Sequence, residues 1–526
     1  MNRGTRRSTP NLWLPAPVPA ELLRELAQVA IDAAQSAGAD YADVRVGVLR
    51  YVKVPEYPWP PDVGMFVGYG IRGSVNGTWS FQHGEVLTTD AIAMSARSAV
   101  EGARLYSTIN AQLATVSRRP PASAWAPVAP AVGVWHAPME IDPFDVPIDD
   151  YHRAFEALQA TTAPVEQNAR VGSGSLDFQA ETRVFASTAG SLVTQTFVQG
   201  GLGIGGGATL PENRMDYVDV DVPGTQTNVG GFEIVLRPDW IPRTMAGVDE
   251  AIMLRELPFK PFTDVGRFPI VFGGRAFASL VMNTVSLGLD GERAAGLEAD
   301  ASGTTFLAPI DEVLGTNNPQ FSPLLTVRSS RKLPAVEACG WDDEGVAPED
   351  YTLVERGRVV DYHTTRETAP LLAEWYAKHN RPIRSHGTTV ASLATYLPIG
   401  GHGHLQVQAA AGKATMQDLY RDISHGFVVR EGNANSDMSL TGGTFNTRLV
   451  LEIKNGTPVC RTNIMMQFTT KRILQKQLVT LGDASTARTE ILRMDKGVPW
   501  QGIGVPVTAP AAFVKDVDVV VWDQAP

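Results

Sequence analysis

Cysteine and histidine are scarce in this chain: its 526 residues hold two cysteines, Cys339 and Cys460, and nine histidines. Two cysteines build neither a disulfide framework nor a cysteine-rich zinc module, so any metal site must draw on a short list of histidines. Charged residues are also few, 19% against 44% hydrophobic, which suits a globular protein with sizeable cores. Positive charge is the weaker sign: 45 Lys+Arg against 56 Asp+Glu leaves a net charge of −11. That balance argues against nucleic acid as a main partner, because phosphate binding needs a clustered positive field. Long apolar runs are absent too. The longest, Phe268 to Leu289, is interrupted by Arg275 and Asn283, short of the roughly 20 apolar residues a membrane span needs. The start, Met1 to Arg7, carries a twin arginine but no apolar stretch behind it. It reads as a basic tail rather than a signal, and the expected location is cytoplasmic.

Several enzyme templates are missing as well. No Gly-x-Ser-x-Gly elbow, no Gly-x-x-x-x-Gly-Lys-Ser/Thr loop and no His-Glu-x-x-His helix occurs, which removes the usual signatures of serine hydrolases, P-loop proteins and common zinc peptidases. Gly201-x-Gly203-x-x-Gly206 formally matches a dinucleotide fingerprint. Its continuation, Thr209-Leu210-Pro211-Glu212, is a turn and not a helix start, so the run reads as a glycine-rich strand. His402 and His404 are the closest pair of histidines in sequence. On a strand both rings would share a face and could reach one metal, but a third ligand is not near. Asp342-Asp343-Glu344-Gly345 reads as a solvated acidic turn, and Cys339 and Cys460 as structural thiols.

The length suggests about three to four domains, or fewer large ones. Apolar spacing predicts a helix from Leu22 to Ala37 with Gly38 as its stop, and alternation predicts a strand over Tyr41 to Val54. A proline-rich loop covers 55–63. A hairpin is predicted about Asn76-Gly77, with a helix over Asp90 to Tyr106 capped by Thr88 or Thr89. The Ala/Pro-rich stretch 108–150 reads as a long surface connection. Next come a helix over Ile148 to Thr161, strands over Gly174 to Phe185 and Ser191 to Gly201, and a helical connector over Arg243 to Glu256. Beyond Phe268 the pattern predicts one helix, Ala276 to Leu289, and then mostly strands. Their hairpins fall at Arg356-Gly357 and Asn455-Gly456. The expected organisation is a tail (1–19), an α/β N-terminal domain (20–235), a connector (236–265) and a β-rich C-terminal domain (266–526) with a curved or barrel-like antiparallel sheet. The fold class is α+β.

In their order and spacing these segments resemble the TldD/PmbA family of metalloproteases, once called modulators of DNA gyrase. The resemblance runs from Leu22 to about Val520. It rests on Ala37-Gly38-Ala39-Asp40-Tyr41-Ala42-Asp43-Val44-Arg45, Gly77-Thr78-Trp79-Ser80-Phe81, Phe268-Pro269-Ile270-Val271-Phe272 and Gly288-Leu289-Asp290-Gly291-Glu292. Asp342 to Gly345, Glu355-Arg356-Gly357 and the closing Gly497-Val498-Pro499 through Gly504-Val505-Pro506 complete it.

The resemblance implies a two-domain, dimerising protein. It implies that active members carry His-Glu-x-x-x-His on a helix just before the Gly-Leu-Asp-Gly stretch, with a cysteine near the C-terminus as third zinc ligand. In them zinc activates a water and the glutamate handles its proton. Ligands five residues apart lie about 140° apart on an ideal α-helix, so such a helix needs a local distortion such as a π-bulge. In this sequence the two histidine positions hold Met282 and Leu287, the glutamate position holds Asn283, and no cysteine comes after Cys460. Leu has no lone pair, Met is a weak soft ligand, and Asn accepts no proton at neutral pH. The expectation is a chain without a catalytic residue or cofactor of its own, paired with a TldD-like subunit that bears the motif and the zinc, and acting on unfolded peptides. The alternatives are a homodimeric peptidase with a relocated metal at His402 and His404, and a non-catalytic peptide-binding protein.

Overall fold

The computed structural model describes residues 17–55, 60–112, 122–162, 169–209, 217–221, 228–236, 240–332 and 335–520. Most of the tail, the middle of the proline-rich loop and the turn at Leu210 to Glu212 lie outside the described residues. Helix α1 (Ala20–Ser36) buries Leu23, Leu26, Ala27, Ala30 and Ala34 along one stripe. Gly38, at φ +82°, ends it in the left-handed conformation that glycine adopts without a Cβ clash. Strand β1 (Tyr41–Pro55) pairs antiparallel with β2 (Asp62–Val75), which turns at Asn76-Gly77 (φ 49° and 73°) into β3 (Thr78–Gly84). Two successive positive φ values make the tight hairpin turn expected there. Helix α2 (Thr89–Gln112) comes next, the Thr88 hydroxyl accepting from the Ala91 amide, and packs with α1 against β1 and β2.

The stretch 108–150 corrects its reading as a surface connection, because it contributes strand β4 (Val132–His136). Gly133 and Trp135 face inward: a Cβ on Gly133 would stand 2.7 Å from the Trp341 ring. Val132 and Val134 face solvent, so the apolar side of this alternation is not its buried side. Helix α3 (Ile148–Thr162) leads to β5 (Ala169–Ser187) and β6 (Leu192–Thr209). Strands β7 (Tyr217–Asp221) and β8 (Asn228–Val229) add to β6. The sheet order is β3-β2-β1-β5-β6-β4, with β4 parallel to β6. Gly201 to Gly206 sits inside β6, paired with β5, as a glycine-rich strand and not a nucleotide loop.

Helices α4 (Glu233–Leu236) and α5 (Trp240–Arg255) connect to β9 (Gly266–Phe272). The pairings beyond it close a five-stranded barrel. β9 runs parallel to His425–Ser436 and antiparallel to Ala512–Val520. That strand pairs with Met465–Thr469, which pairs with Gly442–Lys454, which returns to His425–Ser436. Closure removes exposed sheet edges. A six-stranded sheet that includes Val327–Ser330, His404–Val407, Arg488–Lys496 and Gln501–Ala509 lies beside it. The hairpins at Arg356-Gly357 and Asn455-Gly456 form as expected, again with paired positive φ. After Asn455-Gly456 the chain forms two strands, Thr457–Thr462 and Met465–Thr469, pairing with opposite parts of one neighbour. Among the described residues no helix is long and apolar enough to cross a membrane.

The N-terminal sheet and the C-terminal half meet through buried charge. The acidic turn Asp342 to Gly345, expected to be solvated, is buried: Asp342 is 1%, Asp343 7% and Glu344 3% exposed. Each carboxylate finds its counter-charge or donors far away in sequence. Arg72 on β2 donates to Asp43 at 2.6 Å and to Glu344 at 3.1 Å, and Arg183 on β5 donates to Asp343 at 2.8 Å. Arg45 on β1 donates to Asp43 and to the Asp343 carbonyl. Stacked Trp79 and Trp125 shield the cluster, with the Arg72 guanidinium 5.2 Å from the Trp125 ring. Burial of paired charge tolerates no deletion of one partner. Arg72→Met should therefore destabilise the protein by about 3–5 kcal/mol, read as a lowered urea midpoint; an unchanged midpoint would show that the clasp carries no stability.

Candidate functional site

The chain leaves β9 through Gly273 into α6 (Gly274–Val281), whose Ala276, Phe277, Leu280 and Val281 are fully buried. Apart from Arg275, which pairs with Glu490, the helix is apolar and belongs inside a core; it packs against the barrel strand His425–Ser436 and the hairpin formed by Arg488–Lys496 and Gln501–Ala509. It continues as a π-turn over Met282–Ser286, where the Leu287 amide donates to the Met282 carbonyl five residues back. A π-turn stacks positions i and i+5 on one face. The distortion that two ligands at that spacing require is therefore present at the positions that hold Met282 and Leu287.

The chemistry at those positions is apolar. Met282 is 1% exposed within the core, and Leu287 packs against the same cluster. The Asn283 side chain donates to the Ser279 carbonyl at 3.0 Å, and Ser436 donates to the Asn283 carbonyl at 2.7 Å. Zinc does not fit a methionine, an asparagine turned onto its own helix and a leucine. Among the described residues no three His, Cys, Asp or Glu side chains converge as metal ligands.

Immediately after the π-turn the structure gathers residues that the sequence leaves scattered. Asp290 caps a short helix (Gly291–Ala294), its Oδ1 accepting from the amides of Glu292 at 2.8 Å and Arg293 at 3.2 Å. Its Oδ2 receives Lys496 Nζ at 2.5 Å and His402 Nε2 at 3.1 Å. Lys496, 1% exposed, also reaches Glu292 at 2.7 Å and the Gly400 carbonyl at 3.0 Å. Three acceptors use the three ammonium protons. Burial alone would raise the Asp290 pKa, but the Lys496 charge and the His402 hydrogen bond hold it well below the usual carboxylate range. Burial would likewise lower that of Lys496, and the Asp290 and Glu292 charges outweigh it and raise it.

An ionised Asp290 sets the direction of every hydrogen bond behind it. His402 Nε2 must carry the proton facing Asp290, so Nδ1 accepts, and the Ser286 hydroxyl donates to it at 2.8 Å. Ser286 Oγ then accepts from His363 Nε2 at 3.2 Å, leaving His363 Nδ1 to accept from the Tyr351 hydroxyl at 2.6 Å. This chain of donors fixes both tautomers. The two imidazoles stack at 4.0 Å between centroids. Burial pushes both histidines below the ordinary imidazole pKa, His363 well below. Ser286, His402 and Asp290 have the residue types of a nucleophilic triad, but Ser286 is fully buried and held by a second imidazole. No substrate reaches it, and the set is a sealed polar core.

His402 and His404 do not meet. His402 lies in this sealed chain, whereas His404 opens a strand and its Nε2 contacts the Thr508 hydroxyl at 2.8 Å, so their predicted common metal lacks support. The cysteines are buried and free, with burial pushing the Cys339 thiol up to about 12 and that of Cys460 up to about 11; both are unreactive thiols. Sequence reasoning placed Asp290 and Glu292 in a motif without a partner, and missed Lys496, Ser286 and His363. The available signal was a lysine directly before Gly497, where the family resemblance leads one to look for a cysteine.

Because His363 and His402 are held neutral, stability should depend on pH in a defined window. In the unfolded chain both rings titrate near 6.5. Below that pH the unfolded state takes up protons that the folded state refuses, so the pair's contribution to stability falls toward acid, opposed in the same window by Asp342, whose carboxyl burial pushes up to about 7. The slope is at most roughly 2.7 kcal/mol per pH unit for the pair. Urea midpoints between pH 8 and 5 should show the fall, and His363→Asn should flatten it; an identical slope in the variant would contradict the account. Lys496→Met should cost about 3–5 kcal/mol by leaving two buried carboxylates unpaired, and stability equal to wild type would show that Lys496 is not their counter-charge.

Residues 265–520 match the family described as PmbA/TldA metallopeptidase C-terminal domain. No curated protein matches the chain. Among solved structures, TldE from Thermococcus kodakarensis is similar with a TM-score of 0.63 at 15% identity, covering 94% of this chain and 100% of that one. A candidate modulator of DNA gyrase from Bacteroides thetaiotaomicron superposes with a TM-score of 0.64 at 14% identity, over 95% and 99% of the two chains. Another from Thermotoga maritima has a TM-score of 0.63 at 14% identity, over 94% and 99%. With its C-terminal half matched in sequence and its fold shared end to end, the chain belongs to the TldD/PmbA family.

Proposed function

We propose that this chain is the non-metal subunit of a heterodimeric metallopeptidase, paired with a homologue that carries His-Glu-x-x-x-His and the zinc. The observation that carries this reading is the π-turn at Met282–Ser286, kept in a helix whose ligand and base positions hold Met282, Leu287 and Asn283. The frame for a metal helix is intact while its chemistry has been replaced by core packing. Lys496 supports the same reading, since its ammonium neutralises the carboxylates next to that helix from within the chain. Separation of His402 from His404 weighs against a relocated metal centre.

In such an assembly this chain supplies wall and peptide-guiding surface, and the partner supplies the scissile chemistry. An unfolded peptide is a suitable substrate because it can add to a sheet edge by main-chain hydrogen bonds. Strand β4 offers such an edge: it is the last strand of its sheet among the described residues, with Val132 and Val134 exposed. The acidic balance weighs against a nucleic-acid partner, and a cytoplasmic setting is part of the proposal.

Purified alone, the protein should hold no stoichiometric zinc and cleave no unfolded peptide. Isolated from its own cell, it should bring down a partner containing His-Glu-x-x-x-His, and the pair should cleave. One tightly bound zinc per chain, or peptidase activity of the chain alone, would overturn the proposal; recovery without any such partner would leave the peptide-binding reading in its place.

A further inference from the structure

A cleft of about 360 Å³ lies between the N-terminal sheet and the C-terminal half, within the size range of small-molecule sites. Its sheet side is formed by Gln179, Glu181 and Arg183 on β5 and by Phe197 and Gln199 on β6. Across from them stand Val336, Glu337, Trp341, Ile491 and Ile503. The cleft thus combines aromatic and branched apolar walls with a few buried charges.

The charges differ in what they have left to give. Arg183 is engaged at all three nitrogens: Glu181 takes Nε and Nη2 in a two-point pair at 2.8 Å, and Asp343 and the Ala391 carbonyl take Nη1. Arg331 donates to the carbonyls of Glu337, Gly387 and Thr389. The Glu337 carboxylate has one ion contact, to Arg331 at 3.7 Å, beyond hydrogen-bond length. Its side chain is 15% exposed, and burial raises its pKa above the ordinary carboxylate value despite Arg331 nearby. Two arginines stand against three carboxylates, Glu181, Glu337 and Asp343, along the lining. The surplus is negative, and the group with unused acceptors is Glu337. A partly exposed carboxylate that faces a cleft and lacks a hydrogen-bond donor is a site for one.

We propose that this cleft binds a small ligand with a primary ammonium group beside an aromatic or branched apolar body, with Glu337 receiving the ammonium and Phe197 and Trp341 flanking the body. A cation is favoured over an anion because the carboxylates along the lining outnumber the guanidinium groups. The Gln179 and Gln199 amides on the sheet side suit a carbonyl next to the amine, as in an amino-acid amide. The inference does not rest on the proteolytic reading.

Calorimetric titration of the full chain with L-phenylalaninamide and with its N-acetyl form tests it. The amine should bind with a dissociation constant of millimolar or tighter, and the acetylated form at least tenfold more weakly. Glu337→Gln, which keeps the side-chain shape, should remove that discrimination, and Glu337→Asp should keep part of it. Gln199→Trp fills the cleft from the sheet side and should abolish binding with Glu337 untouched. No binding of the amine, equal binding of both forms, or undiminished binding by Glu337→Gln or by Gln199→Trp would each overturn the proposal.

Discussion

Buried charge must be paired, and in this molecule one pair organises the centre of the C-terminal half: Asp290 with Lys496, at 2.5 Å and almost without solvent. Asp290 acts on both sides of itself. One oxygen caps the helix that begins at Gly291, and the other accepts Lys496 and His402. The ionised state that Lys496 enforces dictates the tautomer of His402, then the direction of the Ser286 hydroxyl, then the tautomer of His363. A four-donor chain of polar side chains is thereby satisfied inside an apolar envelope. Without the ammonium, Asp290 and Glu292 would be two buried carboxylates with one position to share.

The same constraint explains how the two halves are joined. Asp43, Asp343 and Glu344 could not be buried on their own, and Arg45, Arg72 and Arg183 come to them from three strands of the N-terminal sheet. A clasp of this kind adds little net stability over an apolar contact, but it specifies which surfaces meet, because each misplaced partner leaves a buried charge unpaired. The cleft beside it has the same geometric origin: charged side chains hold the walls together without filling the space between them. Glu337 is left with an acceptor capacity that its neighbours have used up elsewhere.

The helix from Gly274 to Leu287 separates backbone geometry from chemistry. Its π-turn persists although the side chains that such a turn serves in a metal helix are a methionine and a leucine packed into the core. Phe277, Leu280 and Val281 keep the helix in place through burial, so the backbone shape does not depend on a metal. A family frame of this sort is compatible with a subunit that shapes a chamber and leaves the hydrolysis to another chain.

Much of the fold was legible in the residues themselves. The three- and four-residue spacing of α1, the alternation of Val44, Val46 and Val48, and the Asn-Gly and Arg-Gly turns are local signals, and each produced the element expected. The side-chain chemistry at Met282, Asn283 and Leu287 was also legible, because it is a property of sequence once the resemblance supplies the positions. Strand β4 was not, since the apolar residues of its alternation face solvent while Gly133 and Trp135 face inward. The acidic turn at Asp342 was misread for a related reason: whether a carboxylate is solvated or buried depends on arginines some 160 to 300 residues away. Sequence determined the local elements, because those depend on neighbours along the chain. Only tertiary structure decided that Lys496 serves Asp290, that His402 and His404 part company, and that Glu337 is left unsatisfied, because pairing of buried charge is settled by contacts that no spacing encodes.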